Sequence, residues 1–270
     1  MQWWCAAQGV AWTWTWTPYP GVWLFVGLLA AMYIWRLGGR EATGGRRASY
    51  AIGVLLLWIA LDWPVGALGS GYLASVHMVQ FLLIALSAPP LLLMGVPAER
   101  WAVLEERPWF PVVRWLTLPL VSLLLFNAIV IATHWPELVD ALMSSQAGSF
   151  ALDLAWLVGG LILWWPVVAP VPHRPRFPLG IRMGYLIVCT VLMTLPYVFL
   201  TFGELPFYAT YELAPPVGSL GAREDQRLAG LIMRIGGGTI LWTAAGVLFW
   251  LWYRAENSPQ TTVQSPSQAR

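Results

Sequence analysis

The chain has 270 residues, of which 58% are hydrophobic and only 10% charged, against about 25% charged residues in an ordinary soluble domain. This composition excludes a typical soluble globular protein and favours a polytopic membrane protein in a lipid bilayer. The formal net charge of +2 is too small to indicate a nucleic-acid partner. The two cysteines, Cys5 and Cys189, lie too far apart for a CxxC redox or metal motif.

The first twenty residues, MQWWCAAQGVAWTWTWTPYP, are rich in tryptophan. They lack the basic region and the small-residue cleavage site of a signal peptide. Tryptophan is enriched where a membrane meets water, because its ring is apolar and its N–H is polar. We therefore expect residues 1–20 to be a retained segment that lies at the outer membrane interface.

Apolar stretches predict an all-α bundle of seven transmembrane helices within residues 21–254, since a crossing needs about 20 apolar residues. The second stretch is short for a crossing. We expect either that residues 62–66, Asp-Trp-Pro-Val-Gly, complete it or that the bilayer thins around it. The seven stretches cover about 21–35, 48–61, 72–94, 113–133, 150–168, 182–202 and 228–252.

Arginine placement predicts the orientation of these spans. Arginines concentrate in the first, third and fifth connections and in the tail, whereas the second and fourth connections have none. Because positive charge marks the cytoplasmic side, we expect the N-terminus outside and the C-terminus inside, although Arg223 and Arg227 lie in the sixth connection. The tail, residues 255–270, is polar, so we expect it to be disordered in the cytoplasm.

Prolines and glycines within the spans predict local irregularities. Pro89 and Pro90 in the third span and Pro196 in the sixth should kink or break their helices, because proline lacks the backbone N–H of a helical residue. The run Gly236-Gly237-Gly238 in the seventh span should permit close approach of a neighbouring helix.

Several polar residues fall near one membrane face under this topology. An ionisable group inside a span is costly and is therefore a functional hypothesis. His77 lies near the outer end of the third span, and His134 closes the outer end of the fourth. The others at this level are Asp62, Asp153, Glu224, Asp225, Gln226 and Met233.

These residue types suit copper, because imidazole binds copper and thioether favours its reduced form. We expect an outward-opening site formed by His77, His134 and Met233 together with Met78 or Met143. Polar neighbours would then orient the imidazoles through hydrogen bonds. The candidates for that role are Asp62, Gln80, Asp153, Glu224, Asp225 and Gln226.

Other interpretations need no copper. His77 is equally compatible with a hydrogen bond between helices, and His134 with a helix end that faces water. Asp153 and Arg234 could neutralise each other across the bundle. Haem ligation would need the two histidines on facing helix surfaces at one depth. A transporter is the weakest interpretation, because the polar residues trace no path to the cytoplasm.

Four runs, in order, resemble the CtaG-type cytochrome c oxidase assembly factors: SVHMVQFLLIALSAPPLLLMG, THWPEL, LILWWPVVAP and EDQRLAGLIM. The resemblance covers roughly Tyr19 to Tyr253. It implies an integral membrane protein that acts in the maturation of haem–copper oxidases through their copper centres. The positions that match are His77, Met78, Gln80, Pro89, Pro90, His134, Pro136, Glu224, Asp225, Gln226 and Met233.

The chain departs from the family pattern at two positions. The family usually has a second histidine one turn after the first, where this chain has Phe81, and a Glu-His pair where it has Asp153-Leu154. We expect a bacterial inner-membrane assembly factor, not an enzyme, that assists copper insertion from the periplasmic side. Its partners would be oxidase subunits and a periplasmic copper chaperone. The alternative is a metal-free scaffold that binds a respiratory oxidase subunit.

Overall fold

The computed structural model describes residues 2–168, 171 and 177–257, and every regular element in these residues is helical. This confirms the all-α prediction. Residues 258–270, most of the predicted disordered tail, lie outside the described residues. The helices are α1 (Pro20–Trp35), α2 (Gly44–Leu61), α3 (Val65–Gly71), α4 (Ala74–Phe81), the π-helix π1 (Leu82–Ser87), α5 (Ala88–Gly95), α6 (Ala98–Glu105), α7 (Phe110–Leu116), α8 (Pro119–Ala132), α9 (Pro136–Met143), α10 (Gln146–Val168), α11 (Leu179–Leu192), α12 (Thr194–Phe202), α13 (Ala209–Glu212) and α14 (Ala222–Glu256).

The described residues contain four helices, or up to six, that are long and apolar enough to cross a membrane. Each predicted span coincides with one helix or with two or three helices in series, but α1 has only 16 residues. A multi-pass membrane protein is therefore supported, while the count of seven and the orientation stay predictions. The four are Ala74–Gly95, Gln146–Val168, Leu179–Phe202 and Ala222–Glu256, and two bent pairs, α2 with α3 and α7 with α8, raise the number to six.

The short second span is extended by a further helix. Helix α2 is capped by the Thr43 hydroxyl, which accepts a hydrogen bond from the Arg46 N–H over 3.5 Å. It ends before Asp62, and the chain resumes as α3 from Val65, at an angle of 48° to α2. The predicted completion through residues 62–66 therefore takes the form of a bend followed by new helix.

Pro89 and Pro90 change the helix type of the third span without ending the span. The turn before them widens into the six-residue π-helix π1, and α5 then begins at Ala88. Both prolines lie in the first turn of α5, directly after π1, and each lacks the N–H of an ordinary helical residue. Pro196 similarly lies in the first turn of α12, which follows α11 after a break at Met193.

The third span, α4–π1–α5, occupies the centre of the bundle and packs against α2, α3, α10 and α14. One close crossing involves Gly160 of α10, where an added Cβ would overlap the backbone carbonyl oxygen of Ala85. The predicted close approach in the run Gly236–Gly238 occurs at Gly236, where an added Cβ would overlap the Leu82 side chain. An added Cβ on Gly237 would lie 3.6 Å from its nearest neighbours, and one on Gly238 would have none within 4 Å.

The N-terminal segment, residues 2–19, packs across one end of the bundle. The Trp4 indole N–H donates to the Asp153 carboxylate over 2.8 Å, and the Ala7 N–H donates to the Met143 carbonyl over 3.2 Å. Trp14 and Trp16 are 67% and 57% exposed, as expected of an interfacial segment. This end, which also includes the connections 62–73, 133–145 and 203–221, is called the polar end.

Candidate functional site

Five ring side chains from distant parts of the sequence form a cluster below the polar end. The ring cluster comprises His77, Phe81, His134, Trp156 and Tyr211. The Trp156 ring centroid lies 4.7 Å from that of His77, 5.2 Å from that of Phe81 and 6.4 Å from that of His134. Both predicted histidines therefore adjoin the same indole, which is anchored by a 2.9 Å hydrogen bond to the Thr133 hydroxyl.

The tautomer of His134 follows from its hydrogen bond. Its Nδ1 lies 2.7 Å from the backbone carbonyl oxygen of Val130. A carbonyl only accepts, so Nδ1 must carry the proton, and in the neutral ring Nε2 then holds a lone pair. That Nε2 is buried and has no hydrogen-bond partner.

His77 is oriented in the same way by Gln80. The Gln80 amide nitrogen donates to the carbonyl oxygen of Ala60 over 2.8 Å, which fixes the amide orientation and turns Oε1 toward His77. Oε1 lies 3.4 Å from Nδ1 of His77. Because an amide oxygen only accepts, Nδ1 of His77 carries the proton and Nε2 the lone pair. Gln80 is thus in contact with His77, and its role in orienting a metal ligand stays a prediction.

The ring cluster consequently contains two buried acceptors without partners. His77 is 5% exposed and His134 8% exposed, and Nε2 of each lacks a hydrogen bond. A buried unpaired polar group costs about 1–3 kcal/mol, and native proteins rarely leave one without a function. In both rings Nδ1 has a hydrogen-bond partner and Nε2 is free, and a metal-binding histidine also has its second ring nitrogen hydrogen-bonded.

Two tyrosines of the 203–221 connection fasten it to the site, and the sequence reasoning missed both. The Tyr208 hydroxyl donates to the His134 carbonyl over 2.9 Å. The Tyr211 hydroxyl donates to the Gly69 carbonyl over 2.7 Å and lies 3.6 Å from the Met143 sulfur. Burial raises the pKa of both phenols, so both remain protonated donors. Their local sequence gave no signal, because Tyr208 is extended and precedes α13 and only Tyr211 lies within that four-residue helix.

The predicted methionine ligands lie in different surroundings. Met233 borders a small cavity with Met193 and Gly237, between α11 and α14. Met78 shares a face of α4 with Ala74 and Leu82, since residues four apart lie on one side of a helix. Ala74 and Leu82 both adjoin α14. His77 and Phe81 occupy the neighbouring face, toward Trp156.

Asp225 caps the helix that carries His77. Its buried carboxylate accepts from the Ala74 N–H over 2.5 Å, from the Ser75 N–H over 3.3 Å and from the Ser75 hydroxyl. The first N–H groups of a helix have no intrahelical partner. A residue 151 positions later therefore provides the N-terminal cap of α4.

Gln226 and Glu224, the neighbours of Asp225 in the sequence, do not contact α4 in this way. The Gln226 amide accepts from the Phe207 N–H over 2.7 Å and donates to the Leu205 carbonyl over 3.3 Å. It thereby positions the 203–221 connection that carries Tyr208. Glu224 is exposed at the start of α14.

Asp62 and Asp153 bind indole groups. Asp62 accepts from the Trp23 and Trp58 indole N–H groups over 2.9 and 2.7 Å. Asp153 accepts from Trp4. The two carboxylates thus hold tryptophans at the polar end, and neither is hydrogen-bonded to a histidine.

The alternative pairing of Asp153 with Arg234 is not the arrangement seen. The Arg234 guanidinium carbon lies 5.3 Å above the ring centroid of Tyr197, a cation–π contact. Within the described ranges, no group of three or more His, Cys, Asp or Glu side chains is arranged to hold a metal ion. The described part of the ring cluster therefore offers at most its two histidines as ligands of these four types.

A cavity of about 440 Å³ opens beside His134. It lies between the 133–137 stretch, α12 and the 203–221 connection. Pro196, Phe199 and Phe207 provide apolar walls, and Glu137 lies at the same cavity. Among the members of the ring cluster, His134 is the one that lines this cavity.

Comparison with protein families identifies the family of the chain. The model of the cytochrome c oxidase caa3 assembly factor family, Caa3_CtaG, matches residues 9–255. The chain belongs to this family. The match includes every member of the ring cluster and both orienting residues, Gln80 and Asp225. Comparisons with curated proteins and with solved structures gave no match.

For a member of this family, the two sequence departures have different structural settings. Phe81, in place of a histidine, lies within the ring cluster, with its ring centroid 5.4 Å from that of His134. Leu154, in place of the other histidine, is 37% exposed and adjoins Trp4 and Phe150. Position 81 therefore adjoins His134 and Trp156, whereas position 154 lies outside the ring cluster.

Proposed function

We propose that this assembly factor serves a haem–copper oxidase by holding copper as cargo between His77 and His134 before insertion. The paired Nε2 lone pairs carry this proposal, because each belongs to a ring whose other nitrogen is already hydrogen-bonded. Such orientation by a partner on Nδ1 is the usual arrangement of metal-binding histidine.

The composition of the ring cluster favours the monovalent ion. Structural zinc is held by four ligands, and charge is expensive in an apolar interior. The ring cluster offers two neutral imidazoles, apolar rings and no carboxylate. Reduced copper brings one positive charge, and a thioether such as Met143, next to Tyr211, suits it as a weak additional ligand.

We further propose that the polar end faces the periplasm of a bacterial inner membrane, where oxidase subunits and a copper chaperone would meet the protein. Arginine is concentrated in the connections at the opposite end, and positive charge marks the cytoplasmic side. The cavity beside His134 adjoins the polar end, so cargo would pass there without crossing the bundle.

Reporter fusions test this orientation. Fusions at Ser145 and Ser258 should report opposite sides, because three candidate spans, Gln146–Val168, Leu179–Phe202 and Ala222–Glu256, lie between them. A fusion at Thr17 should report the same side as Ser145 if α1, the bent pairs and the third span all cross. The measurement is paired alkaline phosphatase and fluorescent-protein activity.

For each pair of fusions, one result would contradict the predicted topology. Ser145 and Ser258 on one side would exclude the three crossings between them. Thr17 and Ser145 on opposite sides would show that one of the four segments before Ser145 does not cross, which would replace the seven-span topology with six spans.

The substitution Phe81→His tests the cargo site itself. It places a third imidazole one turn from His77 on the same helix face and next to His134. We expect the affinity for reduced copper to rise by about tenfold or more, equivalent to about 1.4 kcal/mol. The measurement is competition of the purified protein against a chromogenic copper(I) chelator.

Phe126→His is the matched control, since Phe126 is also a buried phenylalanine, 1% exposed, but lies two helical turns before His134. It should leave copper affinity unchanged. Equal affinity in the wild type, Phe81→His and Phe126→His would count against a copper site in the ring cluster.

A metal-free scaffold is the second candidate, favoured by the lack of a three-ligand group in the described ranges. On this interpretation the ring cluster packs the polar end, and the protein binds an oxidase subunit. In both candidates it acts as an assembly factor and not as an enzyme. The histidine variants in the Discussion separate the two.

A further inference from the structure

A groove of about 710 Å³ lies between α1 and α2, away from the ring cluster. Arg40 and Arg47 line one end of it. Its remaining walls are mostly apolar, with Ala30 and Ile34 on α1 and Ala51, Val54, Leu55 and Trp58 on α2. We propose that this groove is a binding site for one anionic phospholipid.

The arginine end has the properties of a phosphate site. The Arg47 guanidinium is held by hydrogen bonds to the carbonyl oxygens of Gly39 and Arg40, over 2.9 and 2.6 Å. The adjacent Glu41 is paired with Arg100 over 2.8 Å, so its charge is compensated. Arginine recognises phosphate through several N–H donors, and basic residues at a membrane surface attract anionic lipids.

The length of the groove matches one acyl chain in one leaflet. From Arg47, in the first turn of α2, to Trp58 the helix rises about 16 Å. Half of a hydrocarbon core is about 15 Å. With the lipid phosphate at Arg40 and Arg47, an acyl chain therefore extends along Ala51, Val54 and Leu55 to the level of Trp58.

Apart from the arginines, the polar side chains that line the groove are hydrogen-bonded within the protein, so only rings and methyl groups face a lipid acyl chain. Tyr33 and Tyr50 stack with their ring centroids 3.9 Å apart. The Tyr33 hydroxyl donates to the Gly95 carbonyl and the Tyr50 hydroxyl to the Leu29 carbonyl. The Trp58 indole donates to Asp62. These donors are engaged within the protein, so the floor of the groove is apolar toward the bilayer.

The test uses the purified full chain in detergent, titrated with dioleoylphosphatidylglycerol or with dioleoylphosphatidylcholine and followed by native mass spectrometry. The wild type should bind one phosphatidylglycerol more tightly than phosphatidylcholine. Arg40→Gln should weaken the binding of phosphatidylglycerol about fivefold, and the double variant Arg40→Gln/Arg47→Gln should weaken it about 30-fold. Arg40→Gln preserves the hydrogen bonds of Arg47, so it tests the charge even if the double variant disturbs the connection.

Two matched controls accompany these variants. Arg36→Gln removes an exposed arginine of the same connection that does not line the groove, and it should change nothing. Ala51→Trp should block the path of the acyl chain and weaken the binding of both lipids. Ile52→Trp, on the neighbouring exposed position of α2, should weaken neither.

Three results would overturn the proposal. One is equal phosphatidylglycerol binding in all variants. Another is displacement of the lipid by excess inorganic phosphate, which would assign the arginines to a free anion. The third is a lipid-free dimer that Ala51→Trp dissociates, which would assign the groove to a second copy of the chain.

Discussion

His77→Ala and His134→Ala should each lower oxidase activity per unit of expressed protein while leaving the assembly factor in the membrane. Each change removes one of the two Nε2 lone pairs of the ring cluster. Loss of an outer-shell partner of a metal ligand typically lowers metal affinity about 10–100-fold, and loss of the ligand itself should lower it at least as much. Added copper should partly restore the activity, because mass action compensates for a weakened site. The measurement is oxidase activity in the host membrane with and without supplementary copper.

Leu86→Ala is the matched packing control. Leu86 is fully buried in π1, so its truncation also leaves a cavity but removes no lone pair. Added copper should not restore any oxidase activity that is lost in Leu86→Ala. Under the scaffold interpretation the histidine variants should be nearly silent, whereas Gly160→Ala should damage function by forcing α10 away from Ala85. That combination would remove copper handling from the proposal and leave the assembly scaffold.

Asp225→Ala should destabilise the protein by about 3 kcal/mol, because it leaves the N–H groups of Ala74 and Ser75 and the Ser75 hydroxyl without their acceptor. Asp225 is 2% exposed, so water cannot easily replace the carboxylate. Asp225→Asn should cost less, since the amide oxygen still accepts from the Ala74 N–H. The measurement is the thermal unfolding midpoint in detergent.

Glu224→Ala is the control for Asp225, because the neighbouring carboxylate is exposed and its loss should change stability by less than about 0.5 kcal/mol. Copper affinity gives a second measurement. Asp225 positions α4 and thereby His77, so Asp225→Asn should weaken copper binding while the protein remains folded. Equal unfolding midpoints for Asp225→Ala and Glu224→Ala would contradict the capping role.

Much of the fold was predictable because apolar length is a local property. The third, fifth, sixth and seventh predicted spans are single candidate spans in the structure. The breaks within the spans were harder to predict. Proline marks where a helix is disturbed, but it does not specify the form of the disturbance. The chain bends after Asp62 and widens into π1 before Pro89, and which of these occurs depends on the neighbouring helices.

The site was predictable only to the level of membrane depth. Hydropathy and arginine placement put His77, His134, Asp153 and Asp225 near one end of the bundle, and the structure also brings them there. The partner of each side chain depends on its direction around the helix axis, which hydropathy does not specify.

The sequence by itself therefore determined the class of the protein, its family and the membrane level of its polar residues. Only the tertiary structure decided their roles. Asp225 caps a helix 151 positions away, and Asp153 binds Trp4. Gln80 and the Val130 carbonyl bind Nδ1 of His77 and His134, which leaves the buried Nε2 of each ring without a hydrogen-bond partner. The physical reason is that a hydrogen bond requires a particular distance and angle, and only the packing of the helices sets these for residues far apart in the chain.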